Sequence, residues 1–167
     1  GSNAVLEAYE GSISLTSQDF YLANLEHRHH EDFYQDHGSY IHMITVWGNT
    51  DRLTMHDVNF SRFHGNPVNS NLGNSSILMF TDQGGDRSHV AVVNNTISGV
   101  NGIFTSAYNL RYSVFEKNNA ADADIITADP SVWAVFYMKI NNEYVTLRAN
   151  EFRDNNTWGT PGNLEGV

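Results

Sequence analysis

VAVVNNTISGVN (Val90–Asn101) and VTLRANEFRDNN (Val145–Asn156) are two copies of one twelve-residue pattern, and their comparison decides the fold. Each opens with apolar residues at the first and third positions, Val90 and Val92 in one, Val145 and Leu147 in the other. The eighth position carries a large apolar residue, Ile97 or Phe152, and the last is Asn101 or Asn156. Side chains two apart share a face only in a strand, whereas a helix repeats at three and four. Each copy therefore reads as a short strand, a polar bend and a second short segment anchored by the apolar residue.

Three more stretches fit the pattern: ISLTSQDFYLAN from Ile13, LTMHDVNFSRFH from Leu53 and YNLRYSVFEKNN from Tyr108. Their third positions are Leu15, Met55 and Leu110, their eighth Phe20, Phe60 and Phe115, and their last Asn24, His64 and Asn119. Stacked copies place equivalent residues one strand spacing apart, about 4.8 Å. The terminal Asn column then predicts amides bonded from rung to rung. A further apolar strand precedes each of the last four copies: YIHMITVW from Tyr40, SILMFTD from Ser76, GIFTSA from Gly102 and WAVFYMKI from Trp133. About three strands per turn of chain are predicted. A β-sandwich is the rival all-β reading, but it does not call for in-register recurrence.

VAVVNNTISGVNG and VTLRANEFRDNN resemble coils of the pectate-lyase-like, right-handed parallel β-helix superfamily, and the resemblance runs from residue 13 to residue 156. It implies an all-β, single-stranded right-handed parallel β-helix, a solenoid of about five rungs. It also implies a secreted or bacterial cell-surface protein that binds or processes a polysaccharide. The superfamily includes lyases, hydrolases, adhesins and tailspikes, so architecture alone does not choose among them. Residues 1–4 read as a cloning scar, and residues 5–167 as one domain, a candidate fragment of a longer protein. Polar insertions at 25–39, 65–75 and 120–132 all fall between a copy and the next apolar strand, so they are expected along one edge.

Nine Lys and Arg against 19 Asp and Glu give a net charge of -10. That balance lacks the basic footprint of a nucleic-acid binder. No apolar run approaches the roughly 18 residues of a membrane-spanning helix, so no membrane insertion is expected. The chain has no Cys, hence neither disulfides nor thiolate metal ligands.

Several clusters are candidates for chemistry. EHRHHEDFYQDHGSYIH holds His27, His29, His30, His37 and His42 beside Glu26, Glu31, Asp32 and Asp36. His with carboxylate suits zinc, but the spacing matches no zinc motif, and a solvated His-rich loop is the preferred reading. Asp122, Asp124 and Asp129 are the residues offered for calcium, which takes oxygen ligands in loops; an acidic surface loop competes, because the EF-hand pattern is absent. No other cofactor is implied.

Arg111 and Arg148 share the outward fourth position and are expected on neighbouring rungs, where an anionic sugar would bridge them. The same alignment offers a competing set of opposite-charge columns, Glu116 over Arg153 and Lys117 over Asp154, or contacts of the Arg residues with Glu116 or Glu151. Lyases of this fold use a Lys or Arg base beside a neutralised uronate. Of the two lysines, Lys139 alternates with Trp133 and Tyr137 on one strand face. If that face is outward, Lys139 is the catalytic candidate and the two rings are candidate sugar platforms. If it is inward, they are core and the Lys needs a partner. No complete lyase motif is present. A non-catalytic adhesin-like or tailspike-like module is the alternative function, and end-to-end self-association is open to either.

Overall fold

The structure, a computed structural model, describes residues 4–8, 13–16, 18–30, 42–61, 76–81, 85–98, 103–121, 124–126, 136–153 and 156–158. These residues form strands and no helix. The fold is all-β, every described strand pair is parallel, and one of the sheets has five strands. An antiparallel sandwich is thereby excluded for these residues.

That five-stranded sheet contains β2 (Ile13–Leu15), β4 (His42–Val46), β7 (Ser76–Phe80), β11 (Ile103–Ala107) and β15 (Phe136–Met138). Neighbours follow chain order, with Ile13, Ile44, Leu78, Thr105 and Phe136 in one row. An eleven-stranded sheet carries the repeats. Its main strands are β3 (Tyr21–His29), β6 (Thr54–Ser61), β9 (Ala91–Val93), β12 (Leu110–Glu116) and β16 (Glu143–Arg148). Beyond a bend in each pass the ladder continues through β10 (Thr96–Ser98), β13 (Asn119–Ala121) and β17 (Glu151–Arg153). A strand of the preceding pass, β1 (Ala4–Ala8), pairs with the far half of β3.

The register corrects two of the five sequence copies. Leu22, Met55, Val92, Phe115 and Leu147 form one row, so Leu22 and Phe115 occupy the places expected for Leu15 and Leu110. The second apolar row is His27, Phe60, Ile97, Ala120 and Phe152, with His27 and Ala120 replacing Phe20 and Phe115. The reason is local. Apolar alternation exists on both sides of these bends, so period alone does not set the frame. Backbone conformation does: Asn24, Asp57, Asn94, Lys117 and Ala149 occupy equivalent places with φ of 56°, 54°, 55°, 55° and 52°. This left-handed corner suits Asn and Asp and strains the others.

Ala149 pays that strain without any side-chain compensation. Ala149→Gly is expected to raise stability by about 0.5–1 kcal/mol, read as an upward shift in the urea midpoint.

The interior is packed by the inward rows. Met55, Phe60, Phe80, Val92 and Phe115 are wholly buried. Phe115 meets Phe80 edge-on at 6.4 Å and Phe136 at 5.6 Å, tying the two sheets together. Each such side chain contributes about 1.5–3 kcal/mol of transfer free energy.

An amide column does run through the stack, but at the sixth position of the pattern in its corrected register, just past the bend, and not at the terminal position expected. Asn95, Asn118 and Asn150 follow the left-handed corner and turn inward. Asn95 Nδ2 donates to Asn118 Oδ1 at 2.9 Å, and Asn118 Nδ2 to Asn150 Oδ1 at 2.9 Å. Asn24 and Asn119, placed in the column by the sequence reading, are exposed. The side chain of Asn156, together with Asn101 and His64, lies outside the described residues.

The expected insertions are also redrawn. Residues 25–29 belong to β3, and Ala120 and Ala121 to β13. Asp124–Ile126 forms β14, paired with β18 (Asn156–Trp158). Residues 65–75 lie outside the described residues.

Candidate functional site

The passes through β3, β6, β9, β12 and β16 present one continuous outer strip. Since Leu22, Met55, Val92, Phe115 and Leu147 point inward, the flanking residues point out. The strip's floor is mostly small: Ala23, Thr54, Ala91, Val93, Val114 and Thr146. One border is the left-handed corner described above. The other is a second left-handed column, Asp19, Arg52, His89, Tyr112 and Tyr144, with φ of 59°, 57°, 54°, 48° and 55°. All five are exposed.

This second column is a stack. His89 lies over Tyr112 at 5.8 Å and 16°, and Tyr112 over Tyr144 at 5.0 Å and 2°. Tyr112 and Tyr144 nonetheless remain 57% and 72% exposed, so their edges and hydroxyl ends face solvent. The stack continues into ion pairs. Arg52 Nη2 donates to Asp19 Oδ2 at 2.8 Å and Arg52 Nη1 to Asp51 Oδ2 at 2.5 Å. Asp51 Oδ1 accepts from His89 Nδ1 at 2.7 Å and from Ser88 Oγ at 2.8 Å. The His89 bond, then the Ser88 bond, holds the Asp51 carboxyl below the usual carboxylate range.

At the β3 end of the strip lies a chain of polar contacts. The Tyr21 hydroxyl is hydrogen-bonded to His56 Nε2, and the rings meet edge-on at 5.2 Å and 72°. His56 Nδ1 lies 2.6 Å from Asp57 Oδ2, and Asn94 Nδ2 donates to Asp57 Oδ1. At the β16 end, Arg148 Nη2 donates to Glu116 Oε2 at 2.7 Å, with Lys117 Nζ 3.8 Å from Glu116 Oε1. Arg148 holds the Glu116 carboxyl below its usual range.

The sequence candidates are distributed differently. Arg111 and Arg148 do not stack: Arg111 sits across from Glu143, and Arg148 across from Glu116. Arg111 Nη1 donates to Asp86 Oδ2 at 2.9 Å, and its Nε lies 3.6 Å from Glu143 Oε2. The shifted frame of the fourth copy produces this outcome. It likewise replaces the expected Glu116–Arg153 column by Glu116–Arg148, and sets Arg153 across from Ala121. Both guanidinium groups thus meet a carboxylate of their own surface.

Lys139 and Tyr137 are brought together as their spacing implied. Lys139 Nζ sits 4.7 Å from the centroids of both Tyr137 and Tyr108. Trp133, Asp122 and Asp129 lie outside the described residues, as does the side chain of Asp124. Among the described residues no group of three His or acidic residues is arranged to hold a metal ion.

The histidine-rich stretch is not a solvated loop where it is described. His27 and His29 are inward residues of β3, 1% and 0% exposed. His27 Nδ1 is 3.2 Å from the Leu6 carbonyl oxygen, and its ring meets Phe60 edge-on. His37 lies outside the described residues. Sequence reasoning missed Tyr21, Asp57, Tyr112 and Tyr144 altogether. The recurring Asn or Asp two residues after an inward apolar position was the available signal for the corner that brings Asp57 beside His56.

No family model matches the chain, and no curated protein or solved structure matches it.

Proposed function

We propose that the chain is a right-handed parallel β-helix of about five rungs, of the pectate-lyase-like kind, and that its outer strip binds an extended polysaccharide. One observation carries the reading: the exposed, parallel-stacked Tyr112–Tyr144 pair bordering a floor of small side chains. Phenol rings combine an apolar body with a polar tip, which suits the mixed surface of a sugar. From Tyr21 to Tyr144 the strip crosses four strand spacings, about 19 Å, with polar groups recurring at each step. A linear glycan, itself a repeat of similar units, fits such a one-dimensional array.

The internal neutralisation of Arg111 and Arg148 favours neutral sugars or hydroxyl recognition over a uronate held between them. The same pairing supports a second reading, a non-catalytic adhesin-like module. In that reading the surface pairs only add the few tenths of a kcal/mol usual for exposed ions. End-to-end association is compatible with either reading, since among the described residues β16 pairs only with β12 and β1 only with β3.

Binding to an array of neutral and acidic glycans, followed by titration of the best ligand, tests the proposal. Tyr112→Ala and Tyr144→Ala are expected to weaken that binding about tenfold each, roughly 1.4 kcal/mol, with unchanged circular dichroism. Selective binding that both variants leave intact removes the strip from the reading. An absence of binding to any glycan leaves the adhesin-like module.

A further inference from the structure

We propose that Tyr21, His56 and Asp57 form a proton relay that makes the Tyr21 oxygen an acyl acceptor for activated esters, aryl esters and thioesters. This chemistry goes beyond glycan binding and does not depend on it.

The direction of the relay follows from the contacts. Asp57 is drawn below the usual carboxylate range by His56 and then by Asn94, so it is an anion at neutral pH and accepts at both oxygens. Facing that anion at 2.6 Å, His56 Nδ1 carries a proton and donates it. In the neutral ring Nε2 is then the acceptor, and the Tyr21 hydroxyl donates to it. A nucleophile bonded to a base that a third group orients is the general arrangement for activating a weak oxygen nucleophile.

The relay is also positioned for use. Tyr21 is 64% exposed, so an electrophile reaches its oxygen without movement of the strand. Tyr21, His56 and Asp57 stand on adjacent paired strands, which fixes their separation. The charged groups beside them on this face, Asp19, Asp51 and Arg52, are engaged with one another. Tyr112 and Tyr144 are equally exposed phenols held by stacking, and they serve as internal references.

The step balances within the relay and its donor. The Tyr21 oxygen bonds to the acyl carbon while its proton passes to His56 Nε2. The bond between the acyl carbon and the leaving phenolate or thiolate then breaks, and His56 returns the proton to the leaving group or to solvent. Water, with His56 as base, later hydrolyses the aryl ester and restores the phenol.

The probe is p-nitrophenyl acetate added to the intact chain at pH 7.5, with nitrophenolate release followed by absorbance and acetylated peptides mapped by mass. Tyr21 is expected to be acetylated at least tenfold faster than Tyr112 and Tyr144. Asp57→Asn and His56→Gln are expected to bring Tyr21 to the rate of those two, and Tyr21→Phe to remove the fast release. Equal labelling of the three tyrosines overturns the proposal. So does fast release that survives in Tyr21→Phe, because the nucleophile is then His56 itself. Wild-type circular dichroism in the variants separates a lost relay from a lost fold.

Discussion

Asn118→Ala is expected to lose about 4 kcal/mol of stability, with a fall of roughly 1 M or more in the urea midpoint. Asn118 is wholly buried and sits in the middle of the amide column. Its Oδ1 accepts from the Asn95 backbone N–H at 3.2 Å and from Asn95 Nδ2 at 2.9 Å. Its Nδ2 donates to the Val92 carbonyl at 3.0 Å and to Asn150 Oδ1 at 2.9 Å. Truncation therefore leaves a buried N–H, an amide and a carbonyl without these partners, each costing about 1–3 kcal/mol with partial relaxation. Asn118→Leu fills the volume but restores no bond, so it separates packing from polar satisfaction. Near-wild-type stability in the Leu variant shows that the column acts by volume alone. The exposed neighbour Asn119 provides the contrast: Asn119→Ala is expected to change stability by less than about 0.5 kcal/mol.

That contrast also marks how far the sequence could be read. An all-β chain with stacked parallel strands was legible because apolar residues recur two apart in Val90, Val92, Val145 and Leu147. Rung-to-rung amides were expected from the Asn that ends four of the five copies, whereas the column observed is Asn95, Asn118 and Asn150. Their location was not legible. Pairs such as Asn94–Asn95, Asn118–Asn119 and Asn141–Asn142 offer two adjacent amides, and composition does not say which turns inward. The backbone resolves it: the residue at the left-handed corner faces solvent, and the next one enters the core.

The candidate site was less legible for the same reason. Tyr112 and Tyr144 have ordinary neighbours in sequence, and only the left-handed corner before each inward strand lines them up. Misplacing the fourth copy set Arg111 beside Arg148, although the fold gives each its own carboxylate. His27 shows a further limit. In a stretch so rich in His and carboxylates, polarity argues for a loop, yet His27 occupies a position filled by Phe60 on the next pass. Burial pushes the His27 pKa down, keeping the ring neutral enough to be core.

Acidification is expected to destabilise the protein progressively between pH 6.5 and about 4, and His42 is the residue to replace in showing it. Burial first, then the positive charge of Lys139, lowers the His42 pKa from 6.5 to about 4. Its Nδ1 accepts the Ser76 backbone N–H at 3.2 Å and lies 2.9 Å from Ser76 Oγ, a role only the unprotonated nitrogen fills. In the unfolded chain the same ring binds a proton near pH 6.5, while the folded ring stays neutral until about pH 4. The unfolded state therefore gains protons first, so the stabilisation is complete above pH 6.5 and declines as pH falls towards 4. The loss through this window amounts to about 3 kcal/mol from His42, and the lowered pKa of His27 adds in the same direction. Asp51, Asp57 and Glu116 contribute separately at lower pH: their stabilisation is full above the ordinary values of 3.8 for Asp and 4.5 for Glu, and is lost as pH falls from there through their depressed folded values. Urea unfolding at half-unit steps from pH 7.5 to about 2.5 resolves the two windows. His42→Asn, whose amide oxygen can accept the Ser76 N–H, is expected to flatten the upper one to the part due to His27. A slope unchanged by that substitution assigns the acid sensitivity elsewhere. Lys139→Gln should lessen the loss, since removing its charge lets His42 take up its proton at a higher pH.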